Sequence, residues 1–200
     1  MAENNENKLS ENPFFSFAKP YFDFIGRGKV YTIVYLVMAA LNLMLPLVVI
    51  FMVIDSGFLR NSGIRMMAAF MLSWLVIAFA GWIGFQLWWH RRINVKRMAN
   101  QEFIAIPIAS DLMQTFGEWA GTLLCITGAG IGIITSIFIW NDLWVRISFD
   151  TTVNIGPIMI IGGPISGFII MVLFRLFAEF MRIWTSIANN IRDIARKTKG

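Results

Sequence analysis

The sequence predicts an all-α fold, a four-helix transmembrane bundle with short amphipathic interfacial helices and a long C-terminal helix. Three observations predict it. Four runs of about twenty residues or more lack charge, lysine and arginine gather on one side of those runs, and a helical apolar stripe continues past the last of them. Of the 200 residues, 57% are hydrophobic and 14% charged, with mean hydropathy +0.65. A soluble domain carries roughly 25% charged residues. The deficit lies in the long runs, as membrane spans require, and one membrane domain accounts for the length.

The first twelve residues are polar, with Glu3, Glu6 and Glu11, and lack the basic start and apolar core of a signal peptide. They read as a disordered tail over 1–12. Residues 13–29 follow as an interfacial segment that opens with PFFSFAKPYFDFI. Phe14, Phe17, Tyr21 and Phe24 recur at helical spacing, although Pro20 argues against one unbroken helix. The segment anchors the chain at the interface or offers a docking strip.

The membrane domain occupies 30–196, with spans at about 30–54, 66–89, 119–140 and 157–180, and a basic tail follows at 197–200. The first run reaches about 37 Å as a helix, enough for a tilted span. Pro46 inside it frees the carbonyl of Asn42, which makes a kink or a polar spot there. Residues 55–65 form a short turn rich in Gly and Ser. The link 90–118 contains Ile108, Ala109, Leu112, Met113 and Phe116 at helical spacing after Pro107, predicting a short amphipathic helix on the membrane surface. Residues 141–154 join the last two spans, and VRISFD within them is either a short strand or an irregular loop.

Orientation follows from the cations. Lys8, Lys19, Arg27, Lys29, Arg91, Arg92, Lys96, Arg97, Arg175, Arg182, Arg192, Arg196, Lys197 and Lys199 share one side, against Arg60, Arg65 and Arg146 on the other. That bias places both termini in the cytoplasm.

Few residues offer chemistry. One cysteine, Cys125, and one histidine, His90, build neither an internal disulfide nor a thiolate or imidazole metal cage. The GAGIG stretch lies in the middle of a span, where no phosphate loop forms. Gly128 and Gly132 instead form a G-x-x-x-G packing face, Gly121, Cys125 and Ala129 repeat small residues every four, and Ala80 and Gly84 do the same in the second span. Such faces pack within one chain or between chains. Asp111 and Glu118 lie seven apart, on one helix face or as ordinary solvated residues. No catalytic constellation, cofactor site or nucleic-acid surface is expected.

The informative polar feature is FRLFAEFMRIW at 174–184. A fourth helix starting near Pro157 puts Arg175 at the headgroups, where arginine snorkels. A break at Gly162, Gly163 and Pro164 would put Arg175 near the midplane, at a cost of about 2.5–3.5 kcal/mol, and mark a functional site. In either placement Arg175 and Glu179 form an i,i+4 pair, with Arg182 competing for Glu179 and Asn42 as a further polar partner. Phe180, Ile183, Trp184, Ile187, Ile191 and Ile194 then continue the apolar stripe, predicting one helix to about Arg196. Ile187, Ile191, Arg192, Arg196 and Lys197 form its partner or lipid surface, and the basic end favours anionic lipid.

LMQTFGEWAGTLLCITGAGIG at 112–132 and FRLFAEFMRIWTSIANNIRDIAR at 174–196 together resemble a group of uncharacterised small multi-pass bacterial membrane proteins, a domain of unknown function. The resemblance implies a bacterial inner-membrane location and brings no substrate or cofactor. It marks Gly117, Glu118, Arg175 and Glu179 as family features. The leading expectation is a non-enzymatic structural or interaction module of the envelope. It acts through membrane lipids, a cytoplasmic protein partner or a homo-oligomer. The alternative is a small oligomeric channel or transporter with a polar path at Asn42, Arg175 and Glu179.

Overall fold

A computed structural model describes residues 29–98, 105–139, 144–146 and 152–198. The elements in chain order are α1 (Lys29–Asp55), α2 (Phe58–Asn61), α3 (Ile64–Met98), α4 (Ala105–Phe138), β1 (Trp144–Arg146), β2 (Thr152–Asn154) and α5 (Ile155–Lys197). Helices α1, α3, α4 and α5 are each long and apolar enough to cross a membrane. The chain is an all-α, multi-pass membrane protein. The expected tail at 1–12 and nearly all of the aromatic segment 13–29 lie outside the described residues, as do the last two residues of the basic tail.

Helix α1 runs unbroken through Pro46. The carbonyl that proline frees, that of Asn42, sits where Gly81 of α3 passes, and a Cβ on Gly81 would come 2.7 Å from it. The Pro46 carbonyl accepts a hydrogen bond from Trp74 Nε1 at 2.9 Å. Neighbouring α3 thus packs closely against the proline turn of α1. Gly57, with φ 67°, turns the chain from α1 into α2, a left-handed conformation that glycine adopts without penalty.

One expectation needs correction, and one alternative left open does not occur. The helix foreseen at 107–116 is not a separate element on the membrane surface, because α4 runs from Ala105 through Phe138 without interruption. Its apolar face packs inward. Ile108 is fully buried with Tyr35, Ala39 and Trp88, and Leu112 and Trp119 pack against that cluster. A face occupied by the bundle has no reason to seek lipid.

Nor do Gly162, Gly163 and Pro164 break α5, which is one helix from Ile155. The Pro164 carbonyl accepts from Cys125 Sγ at 3.4 Å, and Gly163 is needed where α4 passes. Arg175 is therefore about 30 Å along α5, a full hydrocarbon thickness from its start.

The helices neighbour one another in the order α1, α3, α4, α5, and the α4–α5 pair is the most extensive. Its seam is built from small residues. Gly117 lies under Phe174, Gly121 meets Gly167 and Met171, Gly128 meets Gly163, and Gly132 meets Ile160 and Gly156. A Cβ on Gly128 would come 2.6 Å from the Gly163 Cα, so the two backbones touch there. Lipid tails are as apolar as side chains, so this close approach and its dispersion contacts hold the helices together.

The connection before α5 is a short antiparallel ribbon, with Val145 opposite Val153 and Arg146 opposite Thr152. VRISFD thus begins as strand, and its residues 147–150 lie outside the described residues. Asn154 Oδ1 accepts from the Gly156 N–H at 3.0 Å and caps α5.

Candidate functional site

The polar residues of the bundle converge where α1 begins, α3 ends, α4 begins and α5 leaves the spans. Asp111 and Glu118 lie two turns apart on α4, about 10 Å along one face, with Gln114 between them. Tyr35 of α1 donates its hydroxyl to Asp111 Oδ2 at 2.8 Å. Arg91 of α3 places Nη1 3.3 Å from Asp111 Oδ1 and donates Nη2 to Glu118. One planar guanidinium thereby bridges both acids, a geometry lysine cannot reproduce.

Gln114 Nε2 donates to Glu118 Oε1 at 2.8 Å. Arg182 of α5 donates Nη2 to Gln114 Oε1 at 2.8 Å and Nε to Ser110 Oγ at 3.3 Å. The chain of bonds joins all four spanning helices. Two arginines balance two carboxylates. The Asp111 side chain is only 5% exposed, so its charge depends on these partners.

One layer deeper, Trp119 Nε1 donates to Asn42 Oδ1 at 2.6 Å, and Asn42 Nδ2 donates to the Met38 carbonyl at 2.7 Å. Gly84 of α3 leaves the space that the Asn42 side chain fills. Trp88 is buried between the two layers. It meets Tyr35 edge-on at 5.3 Å and Trp119 at 6.2 Å. Buried polar pairs in membrane bundles are worth about 0.6 kcal/mol on average and up to about 1.7. We expect a double-mutant cycle on Asn42→Ala and Trp119→Phe, read by thermal unfolding in lipid, to give a coupling near the upper figure. Additive effects would show that the bond contributes nothing.

The expected polar cluster of Arg175, Glu179, Arg182 and Asn42 divides into three places. Arg175 Nε and Glu179 Oε1 are 3.4 Å apart, but their side chains are 67% and 53% exposed. Arg182 bonds to α4. Asn42 is buried on α1 and bonds to Trp119.

The packing residues behave more uniformly. Gly121, Gly128 and Gly132 all line the α4–α5 seam, Gly84 admits Asn42, and Ala80 is buried. Ile187 and Ile191 are exposed on α5, as is Lys197. Arg192 is partly exposed, and the Arg196 side chain lies outside the described ones. His90 Nδ1 sits 2.9 Å from the Gln86 carbonyl of its own helix. The Arg92 guanidinium lies 3.4 Å above the Trp89 ring, a cation–π contact suited to a membrane edge.

Sequence reasoning missed Tyr35, Arg91, Ser110 and Gln114. The available signal was Asp111 and Glu118 at two-turn spacing, facing a helix end with a charge at Arg91. Among the described residues, no three His, Cys, Asp or Glu side chains gather as a metal site would need. Compared with family models, curated proteins and solved structures, the chain matches none.

Proposed function

We propose that this protein is a membrane-anchored interaction module, in which the four spans fix the depth and direction of α5 and the end of α5 engages a protein partner. The observation that carries this reading is the continuity of α5. It is one 43-residue helix, about 64 Å long, roughly twice the hydrocarbon thickness. Its part beyond Arg182 still exposes Ile183, Trp184, Ile187, Ile191 and Ile194. Apolar residues on a helix that has left the lipid must be covered by something else.

The lysine and arginine distribution supports a cytoplasmic position for that end and for both termini. With the resemblance noted above, the reading extends to the inner membrane of a bacterial cell. Anionic lipid is a weaker partner than protein. Arg192 lies about 15 Å along the helix from Arg182, beyond the roughly 8 Å over which lipid charge is felt at physiological salt. The reading assigns no catalysis. It is preferred to a channel because Asn42 is buried among α1, α3 and α4 whereas Arg175 and Glu179 point outward from α5, so they share no path within one chain.

The test is Ile187→Asn with Ile191→Asn. We expect both substitutions together to abolish association through the C-terminal helix while all four spans still insert. Unchanged association would remove the reading.

A further inference from the structure

We infer that the partner of α5 is a second copy of this chain, held through a parallel helical seam at Phe177, Phe180, Trp184, Ile187, Ile191 and Ile194. This rests on the interaction reading above and names its partner. The six residues are spaced 3, 4, 3, 4 and 3 apart. That is the a/d pattern of a coiled coil, with Phe177, Trp184 and Ile191 at a and Phe180, Ile187 and Ile194 at d. All six are between 47% and 64% exposed in the single chain. The opposite face of α5 is already used, with Ala178 buried and Arg182 bonded to Ser110 and Gln114 of α4.

The width of the stripe changes along the helix. Near the membrane Leu176 and Ile183 widen it at g positions. Past Trp184 every large apolar residue falls at a or d, with only Ala188 and Ala195 at e. A narrow seam of this kind suits a partner helix, whereas a face resting on lipid or a globular core is broader.

Three features single out another copy. Chains inserted the same way into one membrane present α5 in the same direction and at the same depth, so identical residues meet in register. A parallel coiled coil needs that register, and a different protein would have to match it separately. The positions flanking the seam from 176 to 195 are Leu176, Met181, Ile183, Ala188, Asn190 and Ala195. None is charged, and Lys197, at the next g position, lies past the last seam residue Ile194, so two copies do not repel across the seam from 177 to 194. The charged residues Arg175, Glu179, Arg182, Arg192, Asp193 and Arg196 all fall at b, c or f positions, away from it.

The test uses the full chain in native membranes, with Cys125→Ala as background and single substitutions Ile187→Cys, Ile191→Cys, Ile194→Cys, Ser186→Cys and Asn189→Cys. A disulfide needs Cα atoms within about 7 Å. We expect mild oxidation to give covalent dimers at 187, 191 and 194 and none at 186 or 189. A membrane-impermeant maleimide applied to the cytoplasmic face reports cover independently. Cysteines at 187 and 191 that are shielded but give no dimer would overturn the second-copy assignment and leave the interaction module intact, with a different protein as the cover. Cysteines there that label as fast as those at 186 would overturn both. Equal dimer yields at all five positions would indicate random collision and also overturn the seam.

Discussion

Arg91→Leu is expected to be the most damaging single substitution in the bundle. Removing one partner of a buried charge pair typically costs about 3–5 kcal/mol, because the remaining charge stays buried without compensation. Here one guanidinium serves two acids. Asp111 is 5% exposed and Glu118 26%, so the loss should be about 3 kcal/mol or more. Arg91→Lys should recover only part, since a compact ammonium lacks the planar fork whose two nitrogens reach the two carboxylates. Adding Asp111→Asn and Glu118→Gln to Arg91→Leu should restore much of the loss, because the burden is the stranded charge itself.

The comparison that decides is with Arg175→Ala. That residue also sits in an ion pair, with Glu179, yet an exposed i,i+4 pair is worth only about 0.3–0.5 kcal/mol. Thermal unfolding of both variants in lipid discs checks the ranking. Equal effects would mean that the network around Arg91 does not hold the helices together.

Gly128→Val is expected to separate α4 from α5. The new Cβ would come 2.6 Å from a backbone atom of Gly163, and from the other side a Cβ on Gly163 would come 2.7 Å from the Gly128 Cα. Neither atom belongs to a side chain that can swing aside. Overpacking a filled core costs about 1–3 kcal/mol, and a backbone-to-backbone clash belongs at the upper end. Gly162→Ala is the control. Its Cβ would meet nothing nearer than 3.8 Å, and alanine favours the helix by about 1 kcal/mol over glycine. The two substitutions should therefore move stability in opposite directions. A cysteine cross-link between α4 and α5 should be lost in the first and kept in the second. If Gly128→Val unfolds no more readily than Gly162→Ala, the close seam is not what binds these helices.

The spans were legible because length and charge decide them. No run such as 30–54 can be hidden in a chain of this size. The α4–α5 seam was half legible. The spacing of Gly121, Gly128 and Gly132 announced a packing face, but local spacing carries no information about which helix fills it. Continuity of α5 was legible from its stripe, and Gly162–Pro164 proved compatible with an unbroken helix.

The polar network was not legible. Asp111 and Glu118 at two-turn spacing suit a solvated face as well as a shared arginine, and nothing local distinguishes the two. Arg182 shows the same limit. Its nearest acid in sequence is Glu179, yet its bonds go to Ser110 and Gln114, 72 and 68 residues away. The direction of the first part of α4 depended on Tyr35 and Trp88, whose burial is a property of the assembled bundle.

The most direct test of the account is hydrogen exchange of the α5 amides from 183 to 194, in the full chain in its native lipid. An isolated helix end this short frays readily in water, so slow exchange requires that the helix be both continuous and covered. The account predicts protection across Ile187 and Ile191 comparable to the lipid-embedded part of α5. It also predicts that Ile187→Asn with Ile191→Asn removes that protection beyond Arg182 and leaves the spans unchanged. Exchange beyond Arg182 as fast as in an unstructured peptide would mean that α5 ends at the membrane, and the interaction surface proposed for it would not exist.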